Sequence, residues 1–294
     1  MEQERKLELV WDGKAVLGEG PAWDHRSGQL VWVDIQGRRV HLFNPADGIN
    51  RTIELNQMIG AAVPRAEGGL VLALQHGFHT LDLETETLTP LADPESDQPG
   101  NRFNDGKCDD AGRFWAGTMD MKEGKPAGSL YCLEKDGTVR KTVEGVTVSN
   151  GIAWSHDNRT MYYIDSPTKK VVAYDFALET GELSNPRTAV VIAEGEGMPD
   201  GMTIDSEGML WVAQWDGWQV SRYNPATGDK LDTIHVPAAR SSSCAFGGEN
   251  YDELYITTAR VGLSEEQLAS QPHAGGLFRV KLGVKGKPTA FYGG

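Results

Sequence analysis

Basic residues are scarce in this chain of 294 residues: 28 Lys and Arg stand against 42 Asp and Glu, a formal charge of −14. Nucleic acid and anionic membranes need a positive face, so this balance disfavours both as partners. Cysteine is scarcer still. Cys108, Cys132 and Cys244 are odd in number and show no paired spacing, which argues against a disulfide framework and for a reducing compartment. No run approaches the roughly 18 apolar residues of a membrane span. The opening Met1-Glu-Gln-Glu-Arg-Lys6 is charged and leads into no apolar signal segment, so a soluble, cytoplasmic protein is expected. The histidines lack His-x-x-x-His or Cys–His ligand spacing, and no structural zinc site is expected. There is no Pro/Gly/Ser-rich linker and no long amphipathic helix. One or two helical turns are expected at Ser264–Ser270, where Ser264 and Gln267 resemble a capping box.

What the chain has instead is glycine, 35 residues of it, and an internal repeat. Six segments share one outline of turn, apolar strand, gap and second strand. They begin at Gly28, Gly69, Gly112, Thr160, Gly208 and Glu253, about 40 to 50 residues apart. The strands are rich in Val, Leu, Trp and Tyr and end at turn residues such as Asn44-Pro45 and Asn224-Pro225. Asp105-Gly106, Asp136-Gly137 and Thr227-Gly228 are read as hairpin turns between strands. This spacing predicts an all-β, six-bladed β-propeller with four-stranded antiparallel blades, one domain over residues 1–294.

One position in the repeat carries chemistry. Glu19, Asn104, Asn150 and Asp200 each stand four residues before Trp23, Cys108, Trp154 or Ile204, at the same distance from the next strand to within one residue. In a propeller, equivalent residues of the innermost strands form a ring at one channel mouth. All four offer oxygen, a hard set suited to Ca²⁺, Mg²⁺ or Mn²⁺, with Zn²⁺ tolerated. Gly60 and Ser242-Ser243 are small at the equivalent places, leaving room for water and substrate. The competing explanation makes Asn150-Gly151 and Asp200-Gly201 primed hairpin turns. Recurrence in four repeats, and Glu19 as a poor turn residue, favour the ring.

Other candidates carry less. Ser155-His156-Asp157 is contiguous, whereas a triad converges from separate places, so it reads as a turn. Gly18-Glu-Gly20 and Gly195-Glu-Gly197 are fragments of phosphate loops without the Lys or helix. Cys108 reads as a small core residue, and His76 and His79 as surface residues near a strand end.

The motifs Leu17-Gly-Glu-Gly-Pro-Ala-Trp23, Asn101-Arg-Phe-Asn-Asp-Gly-Lys107, Trp115-Ala-Gly-Thr-Met119, Ser149-Asn-Gly-Ile-Ala-Trp154, Tyr162-Tyr-Ile-Asp165 and Pro199-Asp-Gly-Met202 span most of the chain. Together they resemble the regucalcin (senescence marker protein) and gluconolactonase family of six-bladed propellers. The resemblance implies one divalent metal ion, Ca²⁺ foremost with Zn²⁺, Mn²⁺ and Mg²⁺ as alternatives, held by Glu19, Asn150 and Asp200. It places Arg102 and Asn104 near the substrate and implies hydrolysis of sugar lactones. One departure stands out: relatives carry an acidic residue about three positions after Gly-Thr-Met, where this chain has Lys122 with Glu123 beside it. Lys122 is therefore the expected third substrate contact.

On this reading the metal polarises the lactone carbonyl and Asp200 is the general base, with a metal-bound hydroxide as the alternative nucleophile. Phosphotriester hydrolysis at the same metal and a non-catalytic calcium-binding role are the competing functions. The expected partner is a small sugar lactone, and the expected state a monomer or weak homodimer.

Overall fold

The computed structural model describes residues 5–294, so most of the charged amino-terminal stretch read above falls outside it. Six four-stranded antiparallel sheets are arranged as the blades of a propeller. Their innermost strands are Gly18–Asp24, Ile59–Pro64, Asn101–Cys108, Ser149–Trp154, Met198–Ile204 and Arg240–Gly247, in blades one to six. The first five blades are each continuous in sequence. The sixth takes its outer strand, Leu7–Trp11, from the other end of the chain and pairs it with Leu277–Lys281.

Strands near the axis are covered on both faces by neighbouring blades, which is why they read as unbroken apolar runs. Leu70–Leu74 is buried throughout, whereas the outer strand Glu182–Val191 is largely exposed. The core divides into six clusters, one at each blade-to-blade interface. Aromatics fill these seams: Trp23 stacks on Tyr255 at 5.9 Å between blades one and six, and Trp115 meets Trp154 edge-on at 6.1 Å between blades three and four. Burying an aromatic side chain removes about 150–250 Å² from water, so such contacts dominate blade cohesion.

Two sequence expectations change here. Gly112 and Gly208, read as the starts of repeat strands, lie in the preceding turns at φ +83° and +80°, and their strands begin two residues later at Phe114 and Leu210; Asn158, at φ +55°, holds the same place before Thr160. Glycine and asparagine recur there because the turn needs a left-handed backbone. His79 is buried on Gly77–Leu81 rather than at the surface, and burial lowers its pKa, whereas His76 is exposed. The helix Glu265–Ser270 carries the expected capping box from Ser264 and Gln267. All three cysteines are free and buried, Cys108 within the seam of blades two and three. Among the described residues no helix is long and apolar enough to cross a membrane.

Candidate metal and substrate site

Every innermost strand breaks register with its neighbour at one place. The breaks fall between Glu19 and Ala22, Ile59 and Ala61, Phe103 and Asp105, Asn150 and Ile152, Pro199 and Met202, and Ser241 and Ser243. These are β-bulges, which kink a strand and re-aim the side chain beside the extra residue. So Asn150-Gly151 and Asp200-Gly201 are not hairpin turns, and neither is Asp105-Gly106, which lies inside Asn101–Cys108. Glycine follows Asn150 and Asp200 because the innermost strands crowd together there, whereas Gly20, after Glu19, stands at φ +54°. A Cβ on Gly151 would lie 2.8 Å from Asp200 O, and one on Gly201 2.0 Å from Ser243 Oγ.

The bulges bring Glu19, Arg102, Asn104, Asn150 and Asp200 to one pocket of about 740 Å³, measured with its open mouth. Its upper wall is apolar, with Leu17, Met119, Val148, Pro167, Met198 and Trp215. Lys122 does not line it; its neighbour Glu123 does. The chain turns there, with Lys122 N–H donating to Asp120 Oδ1 and Glu123 at φ +53°, which swings the acidic side chain to the rim.

Asn104 is not a free oxygen donor. Its Oδ1 accepts from Arg102 Nη1 at 2.7 Å, and its Nδ2 donates to Ser149 O at 2.7 Å and to Asn150 Oδ1 at 3.1 Å. Asn150 Nδ2 donates to Ser166 Oγ at 2.8 Å, and Ser166 Oγ donates to Pro199 O at 2.6 Å, one residue before Asp200. One hydrogen-bond chain thus runs from the guanidinium of blade three to the inner strand of blade five.

The electrostatics are lopsided. Glu19 and Asp200 are 3% and 5% exposed. Burial pushes both carboxyls well above their ordinary range, and Asp105 raises both further, as Glu19 does for Asp200. Arg102 offsets this only in part; its own burial brings its pKa down to about 10. Beneath them Lys107 Nζ reaches from blade three to Met202 O in blade five at 2.7 Å, close to Asp105. Asp105 and Lys107 are site-adjacent charges that sequence reading missed, having taken the aspartate for a turn residue.

Such a donor set fits a hard divalent cation. Two buried carboxylates lacking a direct cationic partner are costly when ionised. An added dication would relieve that cost, and the amide oxygen of Asn150, whose Nδ2 donates to Ser166 Oγ, would offer a third oxygen in the same pocket as Glu19 and Asp200. Among the described residues no group of three or more His, Cys, Asp and Glu side chains could hold a metal, so a cation at Glu19 and Asp200 would need oxygen from beyond the two carboxylates.

Fold and site together define a six-bladed propeller with an oxygen-donor centre at one channel mouth. Residues 17–260 match the family described as SMP-30/Gluconolactonase/LRE-like region, and the chain belongs to that family. It is 41% identical to the Bacillus subtilis (strain 168) protein named "Putative sugar lactone lactonase YvrE", over 97% of this chain and 98% of that one. It is 43% identical to regucalcin of Xenopus laevis, over 98% and 99%. A crystal structure of regucalcin from Agrobacterium tumefaciens, described as a calcium-binding protein, superposes with a TM-score of 0.93 at 30% identity, covering 98% of this chain and 96% of that one.

Proposed function

We propose that this protein hydrolyses sugar lactones at the pocket of Glu19, Asn150 and Asp200, with a divalent cation held by those three residues. The observation that carries this is the pair of buried, mutually destabilising carboxylates, Glu19 and Asp200, beside the buried guanidinium of Arg102. The lactonase named among its relatives supports the reaction class. When bound, the cation supplies a Lewis acid for the lactone carbonyl oxygen.

The chain's own residues do the rest. An Asp200 carboxylate oxygen accepts a proton from water as that water's oxygen attacks the carbonyl carbon. The C–O ring bond then breaks, and the proton passes from Asp200 to the departing ring oxygen, giving the open hydroxy acid. Arg102 Nη1 is held by Phe103 O and Asn104 Oδ1, and its other N–H groups have no protein partner among the described residues. They are placed to hold substrate hydroxyls or the product carboxylate. Glu123, at the rim, accepts from sugar hydroxyls. The apolar upper wall keeps bulk water from the reacting carbonyl.

The test is acid release from a panel of aldonolactones by chelator-treated protein, with Ca²⁺, Mn²⁺ or Zn²⁺ returned and Asp200→Ala as control. Turnover that needs metal and is lost in the variant supports the reading. Metal binding without lactone turnover overturns the hydrolase and favours a calcium-binding role, the property given for the Agrobacterium regucalcin.

A further inference from the structure

One residue at the end of the second strand, or just past it, occupies an equivalent place in every blade. It follows Asp34, Leu74, Thr118, Asp165, Gln214 and Thr258, which pair with Gly18, Ile59, Phe103, Ser149, Pro199 and Ser241, next to each bulge. Those following residues are Ile35, Gln75, Met119, Ser166, Trp215 and Ala259. Blade four alone places a hydroxyl there, and it is the blade that supplies Asn150.

Ser166 is 5% exposed and its backbone is fixed on both sides. Its N–H donates to Val148 O at 3.2 Å, and its carbonyl accepts from Lys169 N–H at 3.0 Å, closing the short 3₁₀ turn Ser166–Thr168. Just before it, Asp165 accepts the N–H groups of Thr147 and Val148, tying down the approach to the inner strand. The Oγ is therefore delivered by a rigid turn. It accepts from Asn150 Nδ2 and donates to Pro199 O, using its one proton and one lone pair in opposite directions.

We infer that Ser166 is a positioning residue that sets which end of the Asn150 amide faces the cation and links it to the strand carrying Asp200. A side-chain amide is nearly symmetric in shape, so packing alone does not choose between its oxygen and its nitrogen. The choice is made by partners. Asn104 Nδ2 demands an acceptor and Ser166 Oγ, with its proton directed to Pro199 O, demands a donor; only one orientation satisfies both. Reversal would aim an N–H₂ group at a cation. Groups that orient a ligand in this way typically alter metal affinity by about 10–100-fold when removed.

The inference rests on the metal-site reading above, and its test separates the two. Calcium affinity is measured by titration calorimetry for the wild type, Ser166→Ala and Ser166→Thr, with the exchange of the Asn150 side-chain amide protons followed by NMR in metal-free protein. Ser166→Ala is expected to raise the dissociation constant about 10–100-fold and to speed amide exchange. Ser166→Thr, which keeps the hydroxyl, restores both. Lactone turnover in Ser166→Ala recovers at saturating calcium, because the reacting groups are intact. Should the alanine variant not fold, Ser166→Cys, close in size with a poor hydrogen-bonding sulfur, moves both readouts the same way. Unchanged affinity in a folded variant overturns the inference while the metal site stands. If the wild type binds no calcium, the metal reading falls, and unchanged amide exchange in the variant overturns the positioning role independently.

Discussion

Asn104 and Asn150 are joined across two blades by a 3.1 Å hydrogen bond from Nδ2 of the first to Oδ1 of the second. The bond makes one asparagine the orienter of the other, although the repeat places them at equivalent positions. A carboxylate at residue 104 accepts but cannot donate. Asn104→Asp would face Ser149 O and Asn150 Oδ1 with like dipoles, and kcat/KM is expected to fall by about tenfold or more, ~1.4 kcal/mol of transition-state stabilisation. Steady-state kinetics on the folded variant checks this.

Lys107 spans the channel from blade three to Met202 O in blade five, with Asp105 close by. Lys107→Met leaves that carbonyl without its donor and Asp105 without its cation. Part of the lysine surface opens to a lower cavity, so the expected cost is moderate, about 2 kcal/mol in denaturant unfolding. Adding Asp105→Asn should recover part of the loss, since the uncompensated charge goes with it. Additive effects in the double variant would show that the two groups are not coupled.

His41 is 2% exposed, stacked on Trp32 with centroids 4.2 Å apart, and bonded through Nδ1 to Thr52 and Asn50. Burial lowers its pKa from 6.5 to about 4. The unfolded chain therefore takes up a proton in a range where the folded chain does not. Stability from this group is complete above pH 6.5 and is lost as pH falls toward about 4, by up to about 3 kcal/mol. Equilibrium unfolding across that window should show the slope in the wild type and a flatter one in His41→Gln.

Gly201 has no room for a methyl group: its Cβ would sit 2.0 Å from Ser243 Oγ and 2.5 Å from Ser243 Cβ. Its φ is not in the left-handed region, so the conflict is steric alone. Gly201→Ala is expected to cost about 1–3 kcal/mol and, by displacing Asp200, to lower metal affinity as well. Thermal unfolding with and without calcium reads both effects.

The blades were legible because each strand pair repeats the same apolar run between turn residues, and ring geometry follows from the repeat. The convergence of Glu19, Asn150 and Asp200 on one pocket was legible for the same reason. Their local geometry was not. A bulge and a primed hairpin draw on the same Asn-Gly and Asp-Gly pairs, so Asp105-Gly106 read as a turn when it is the interior of a strand. Lys122 and Glu123 were interchangeable in sequence because their loop has no period to fix which side chain faces the rim. Ser166 left only one signal, a hydroxyl where four of the other five blades place Ile35, Met119, Trp215 or Ala259 and the remaining one Gln75.

Leu7–Trp11 closes the sixth blade against Leu277–Lys281, strands separated by nearly the whole chain. During synthesis Leu7–Trp11 is therefore made some 270 residues ahead of the strand it pairs with. The inner strand of blade one, which carries Glu19, meets that of blade six only after residue 247 has been made. A nascent chain stalled before residue 277 therefore carries Leu7–Trp11 unpaired and a sixth blade without its two outermost strands, although every residue of the pocket has already been made.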